Sequence, residues 1–278
     1  RPDVIFEAFS NSAPYWMTYS GCVGGNFKAT DDNVRPEYYE DFAHYLVDVC
    51  KHMKDEYGIE FATLDPFNEP VTDYWPASGS QEGCHFSTEA QLDFIKVLYP
   101  ILKESGLNTV ISASDETNVP WALATLEEYR KDGTALKLID QWNTHTYSAD
   151  DVSRTKLGVR CRAEGKTLWM SETGSGGNGI GGNLSMSQRL FDDVRCLMPS
   201  AWIDWQYVEE NNDQWCMVKG SFSSQTFAKI KNYYVRQQVS SHIKQGYHFV
   251  TSMSPQSLAA VNEKGDSLIL ITLNTGAT

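Results

Sequence analysis

An α/β fold built on parallel strands is what the sequence predicts, and three observations carry the prediction. Short apolar runs alternate with amphipathic helical stretches from Val4 to about Lys244, the order that yields a parallel sheet or barrel covered by its crossover helices. Two of the runs, Phe61 to Glu69 and Thr167 to Glu172, end on a glutamate followed by Pro70 in one case and by Thr173-Gly174 in the other. After Gly246 the texture changes to short strands with no helical stretch between them, which marks the start of an antiparallel unit.

Taken in order, Val4 to Phe9 reads as a first strand ending at Ser10-Asn-Ser-Ala-Pro14, and a glycine-rich loop runs on to about Asn33. Pro36 opens a helix as an N1 residue, with Tyr39, Phe42, Leu46, Val49 and Met53 at three- and four-residue spacing, and Gly58 closes it. The next strand is expected to run through Asn68-Glu69, where Pro70 stops it, and a long loop carrying Tyr74, Trp75 and Cys84 follows. Ser87 or Thr88 caps a helix that ends at Gly106. Thr109 to Ala113 is a strand leading into Ser114-Asp-Glu116, Pro120 to Lys131 a helix, and Leu138 to Tyr147 a strand. Asp150 to Glu164 is expected to be helical, and the Glu172 strand comes next. Ser185 to Leu197 reads as a helix, Ala201 to Tyr207 as a strand, and Ser224 to about Lys244 as one long helix. Val250 to Met253, Ser257 to Val261 and Ser267 to Leu273 are short strands, the last two split by a turn at Glu263-Lys-Gly-Asp266. Six strand-helix units result, two short of the eight in a closed barrel.

A chain of 278 residues, 41% hydrophobic, can bury one sizeable core. A formal charge of -13 argues against nucleic acid or an anionic membrane as partner and favours a neutral ligand. Eight Trp and fourteen Tyr supply core mass and, at a site, flat faces for sugar rings. No apolar run reaches membrane-spanning length. The opening Arg1-Pro-Asp3 reads as a processed form or an excerpt of a longer protein. Six scattered cysteines and six scattered histidines have no metal spacing, so neither metal nor cofactor is expected. Gly174 to Gly182 lacks the Lys-Ser/Thr ending of a phosphate loop and reads as a flexible rim, and Asn183-Leu-Ser185 is a glycosylation sequon.

Four stretches together, Asn68-Glu69-Pro70, Trp169-Met-Ser-Glu172-Thr-Gly174, Trp202-Ile-Asp-Trp205 and Asn232-Tyr-Tyr234, resemble glycoside hydrolase family 30. The resemblance implies a (β/α)8 TIM barrel with an attached β-sandwich, with Asn68-Glu69 on barrel strand 4 and Glu172 on strand 7. The first strand here would then be strand 3. Residues 1–246 would hold strands 3 to 8, and 247–278 the beginning of the sandwich; the first two β/α units and most of the sandwich would lie outside the chain. The resemblance also assigns acid/base to Glu69 and nucleophile to Glu172, has Tyr147 position the nucleophile, and makes Trp205 a subsite tryptophan. Phe9-Ser-Asn-Ser12 departs from members with a tryptophan where Asn11 stands and resembles the endo-β-1,6-galactanase branch, which makes Asn11 a binding candidate. Secretion and a polysaccharide substrate follow from the same resemblance.

The chemistry is consistent with this on its own terms. A retaining glycosidase needs a carboxylic acid to protonate the leaving oxygen and a carboxylate to attack the anomeric carbon, held ~5 to 5.5 Å apart. Each glutamate alone is also explained by a loop network or a turn cap, whereas the two together favour catalysis. Asn68 is placed to hydrogen-bond a sugar 2-hydroxyl, and His145 and Tyr147 to project into the same mouth, although a core histidine explains His145 nearly as well. Trp75 reads as a subsite wall or as a lid for its own loop, and Trp202 as core. Two rivals remain open: a β-1,6-glucanase or xylanase-type enzyme of the same family, and a carbohydrate-binding protein without turnover.

Overall fold

A computed structural model describes residues 4–276. The chain divides into two compact units, one running up to Ala149 and including Val159–Trp169, the other made of Asp150–Gly158 and the residues from Met170 onward.

In the first unit, strands β1 (Glu7–Phe9), β2 (Thr63–Asp65), β3 (Val110–Glu116) and β4 (Gln141–His145) pair in chain order, all parallel. The crossovers are helices α1 (Tyr39–Tyr57), α2 (Thr88–Glu104), α3 (Val119–Asp132) and the single turn α4 (Ala135–Leu138). Their ends obey local rules. Ser87 caps α2, its hydroxyl accepting from the Ala90 N–H, and Asn118 caps α3 by accepting from the Trp121 N–H at 3.0 Å. Gly58 and Gly133 close α1 and α3 in the left-handed conformation. Phe42 and Tyr39 of α1 meet Phe94 of α2, and Phe94 also contacts Phe67 and Phe86. Phe67, essentially fully buried, anchors the chain one residue before Asn68.

Three features of this unit depart from the sequence reading. Strand β2 stops at Asp65, so Asn68 and Glu69 lie in the turn beyond it, because Asp65 Oδ1 accepts the Phe67 N–H and closes a turn around Pro66. The run expected as a strand from Leu138 begins only at Gln141, its first residue being the end of α4. Strand β3 continues to Glu116 through a bulge at Asp115, where Ser114 pairs with Asn143 and Glu116 with Thr144. The bulge puts Asp115 at φ 62, and its consequence appears at the site.

Helix α5 (Asp151–Ala163) and strand β5 (Thr167–Gly174) each run from one unit into the other. In the first unit the Thr167 N–H at the start of β5 donates to Asp140 O, immediately before β4. In the second, β5 is followed in the sheet order by β6 (Ala201–Trp205). The six strands and their helices fit part of a (β/α)8 barrel.

The second unit also holds α6 (Ile180–Asp192), which passes into a π turn over Asp193–Leu197. It begins five residues earlier than expected, inside the glycine-rich stretch. The segment expected as one long helix from Ser224 is instead the end of a small sheet, β7 (Val208–Glu210), β8 (Val218–Ser221) and β9 (Thr226–Lys229), followed by α7 (Lys231–Ser240). The Phe227-Ala-Lys pattern is short enough to serve either period, and pairing of Phe227 with Gly220 in β8 decides for strand. Strands β10 (His248–Val250), β11 (Ser257–Val261) and β12 (Leu268–Thr272) form the expected antiparallel meander, with Gly265 at φ 74 in its turn. Leu258 of β11 packs with Leu190, Phe191 and Val194, joined by Trp202, which is the core residue expected.

Candidate active site

In the first unit, Glu69 is 7% exposed and sits at φ 47, a left-handed conformation that only a well-supported non-glycine residue holds. The support is a ring of contacts on both its backbone groups. Its N–H donates to Asp115 O at 2.9 Å, the carbonyl that the β3 bulge turns outward. Its own carbonyl accepts from the Trp75 indole N–H at 3.0 Å and from the Thr72 hydroxyl at 3.0 Å. Trp75 in turn is clamped by glycine: a Cβ on Gly83 would lie 2.2 Å from the indole ring. A Cβ on Gly25 would lie 1.8 Å from the Trp75 carbonyl oxygen, so two glycines of the sequence exist to admit this tryptophan.

The carboxyl is held at both oxygens. Tyr74 donates its hydroxyl proton to Oε2 at 2.7 Å, and His145 Nδ1 lies 3.1 Å from Oε1. The other nitrogen of His145 is 3.2 Å from Asp115 Oδ2, so a fully buried imidazole at the end of β4 stands between two carboxyl groups. The Tyr147 ring meets His145 edge to face at 5.8 Å. Asn68 is buried, and its Oδ1 has no hydrogen-bond partner among the described residues.

The strands of this unit carry further acids, the partly buried Glu7 and the buried Asp65 and Glu116. Glu7 accepts from the Thr63 hydroxyl, from Ser112 at 3.1 Å, from Gln141 Nε2 at 2.7 Å and from Asn143 Nδ2 at 3.0 Å. Asn143 also donates to Asp65 Oδ2 at 2.8 Å. Burial pushes the Glu7 carboxyl up, and burial followed by the Asp115 and Glu7 charges pushes Asp65 well up, so both favour the neutral form. Glu116 is pushed up to about 7, again chiefly by burial.

In the second unit, Glu172 is half-buried near the end of β5. The residues after it are fixed: Arg189 of α6 donates to the Thr173 hydroxyl at 2.6 Å, and a Cβ on Gly174 would fall 2.3 Å from Trp205 O. Trp205 ends β6, half-buried, and the Trp215 ring lies 3.2 Å from the same Cβ position. Trp202 donates to Asp193 Oδ2 at 2.9 Å. Asn183, of the sequon, is fully buried and donates to the carbonyls of Gly176, Gly177 and Gly179. It staples the glycine-rich loop and presents no amide for a glycan in the folded protein.

Of the residues singled out from sequence, the first unit thus gathers Glu69, His145 and Tyr147, with Asn68 adjoining. Trp75 is a correction: at 3% exposed it is the support under Glu69, not a wall facing ligand. Asn11 lines a cavity of about 250 Å³ with Tyr45, Leu46, Val49 and Cys50 of α1. Sequence reasoning missed Tyr74 and Asp115. Both closely follow a strand end expected from sequence, Asp115 after Ala113 and Tyr74 after Glu69, which is the only signal that pointed to them.

The sequence model of O-Glycosyl hydrolase family 30 matches residues 3–156. Over 274 residues, 98% of its length, the chain is 30% identical to an endo-beta-1,6-galactanase of Hypocrea rufa, of which it spans 55%. An exo-beta-1,6-galactobiohydrolase of Bifidobacterium longum subsp. longum is 28% identical over 261 residues, which cover 76% of this chain and 17% of that protein. The chain therefore spans about half the length of the first relative and less of the second. Among solved structures, the catalytic domain of GH30 xylanase C from Talaromyces cellulolyticus shares the fold with a TM-score of 0.74 at 20% identity, covering 96% of this chain and 62% of that one.

Proposed function

Because the chain belongs to O-glycosyl hydrolase family 30, we propose that it acts in a secreted retaining β-glycosidase that cleaves β-1,6-linked galactan. Glu69 is its acid/base and Glu172 its nucleophile. The observation that carries the reading is the Glu69 carboxyl, buried and held at φ 47 with a donor on Oε2 and an imidazole on Oε1. A strand-end glutamate serving only as a turn cap has no use for such support, and strain of this kind collects at sites of chemistry.

A retaining mechanism requires two carboxyl groups ~5 to 5.5 Å apart, one on either side of the scissile bond. Glu172 attacks the anomeric carbon while the protonated Glu69 gives its proton to the departing glycosidic oxygen. Water then enters, Glu69 takes its proton, and the glycosyl-Glu172 ester is broken with overall retention. Asn68 offers its unpartnered buried Oδ1 to the sugar 2-hydroxyl, where a new hydrogen bond offsets the cost of the orphaned acceptor. Tyr147 positions the nucleophile, and Trp205 and Asn11 contact the sugar chain. Residues 1–246 form strands 3 to 8 of the barrel, and 247–278 begin a β-sandwich. The galactan specificity rests on the two β-1,6-galactan enzymes it resembles in sequence and on Asn11 in the place of a tryptophan.

The test is product analysis by mass for the full-length protein and its Glu172→Gln form on β-1,6-galactan, β-1,6-glucan and glucuronoxylan. Galactan oligomers from the unmodified protein, falling at least a thousandfold in Glu172→Gln, are expected. Products from another polymer keep the mechanism and replace the substrate. Unchanged turnover in the variant sinks the nucleophile assignment, and binding without products moves the protein to a lectin-like class.

A further inference from the structure

Tyr74 stands 2.7 Å from Glu69 Oε2 and 2.9 Å from the Thr117 hydroxyl, with its ring edge-to-face on Trp75 at 4.8 Å. Tyr74 has one hydroxyl proton and gives it to Glu69 Oε2, so the Thr117 hydroxyl donates into the Tyr74 oxygen. The turn that returns the chain from Glu69 to Tyr74 is closed on the Glu69 carbonyl by Thr72, and Trp75 takes the same carbonyl. Consecutive residues thus grip Glu69 twice, Tyr74 on the carboxyl and Trp75 on the backbone.

Resting on the hydrolase reading above, we propose that Tyr74 is a positioning residue for the acid/base. It holds the Glu69 carboxyl by Oε2 and steadies it for the delivery of its proton. Oε2 is fixed by Tyr74 and Oε1 by His145, so the carboxyl plane cannot rotate without breaking one contact. A hydrogen-bond donor on a carboxyl oxygen also favours the charged form over the neutral one. The remaining charged or titratable groups facing this segment in the first unit are His145 of β4, Asp115 of β3 behind it, and Glu116, whose Oε2 accepts the Val71 N–H. None of them contacts the Tyr74 hydroxyl among the described residues, so Tyr74→Phe leaves them in place while keeping the ring against Trp75.

The experiment has two readouts in Tyr74→Phe and Thr117→Val, with melting temperature as a check on folding. The first is the pH profile of kcat/KM on β-1,6-galactan. Loss of the donor removes support from the carboxylate form alone, so the alkaline limb is expected to move up by about one pH unit in Tyr74→Phe. It moves by less in Thr117→Val, where only the polarisation of the tyrosine is lost. The second readout needs no turnover: the 13C titration of the Glu69 carboxyl, assigned by its disappearance in Glu69→Gln, is expected to shift in parallel. Both shifts support the proposal. A carboxyl titration unmoved in a folded Tyr74→Phe overturns it, as does an unmoved limb in an active one. Absence of turnover in the unmodified protein removes the hydrolase reading and with it the catalytic role, and the titration still decides whether Tyr74 governs the carboxyl.

Discussion

The buried Glu116 is expected to contribute a pH dependence of stability opposite in sign to that of the usual acid denaturation. It is fully buried at the end of β3, where its Oε1 accepts from the Thr125 hydroxyl at 2.9 Å and from Gln91 Nε2 at 3.5 Å. Burial raises the carboxyl from 4.5 to about 7, the three hydrogen bonds pull partly back, and the Asp115 charge adds to the rise. A carboxyl raised in the folded state binds more protons folded than unfolded between those two values. Stability therefore falls as pH rises through that window and is level above it. A rise from 4.5 to about 7, at about 1.4 kcal/mol per unit, makes the loss about 3 kcal/mol, complete by about pH 8. Glu7 and Asp65 are raised too and act in the same direction, so the Glu116 share is read by difference against Glu116→Gln. The glutamine keeps an acceptor for Thr125 and Gln91 but turns an amide N–H toward the Val71 N–H, a cost of about 1 kcal/mol that does not vary with pH. Urea unfolding at fixed ionic strength from pH 5 to 8 is the assay. The slope of unfolding free energy against pH should be shallower in Glu116→Gln by up to about 1.4 kcal/mol per pH unit below pH 7. Parallel lines for the two proteins would refute the reasoning.

Two further outcomes test the loops that hold the candidate site. Trp75→Phe keeps an aromatic ring against Gly83 but removes the N–H that Glu69 O accepts; Thr72 remains, so stability should drop by about 1 kcal/mol in urea unfolding while kcat falls about tenfold. An unchanged kcat would show that the Trp75 clamp does not shape the carboxyl. Asn183→Asp sets a buried carboxylate against the three carbonyls of the glycine-rich loop and should cost about 3 kcal/mol at pH 7, read as a lowered melting temperature. A melting temperature equal to that of the unmodified protein would show that the loop does not depend on this amide.

The sequence by itself determined what local chemistry decides. The alternation of strands and helices, the cap at Ser87 and the closure of α1 at Gly58 were legible, because each depends on residues within one or two turns. Glu69 and Glu172 were legible as candidates because an apolar run that ends on a carboxylate and a breaker is a local pattern. Tertiary structure decided the rest. Trp75 is a support and not a wall because Gly83, eight residues on, and Gly25, fifty residues back, close over it. Asp115 meets the Glu69 N–H through a bulge that joins distant segments, and Tyr74 reaches the Glu69 carboxyl only because the turn between them is folded back on the Glu69 carbonyl. The strand at Thr226–Lys229 exists because β8 pairs with it, although its own residues read equally well as helix. Period and capping are encoded along the chain, whereas burial of one side chain by another is a property of the packed molecule alone.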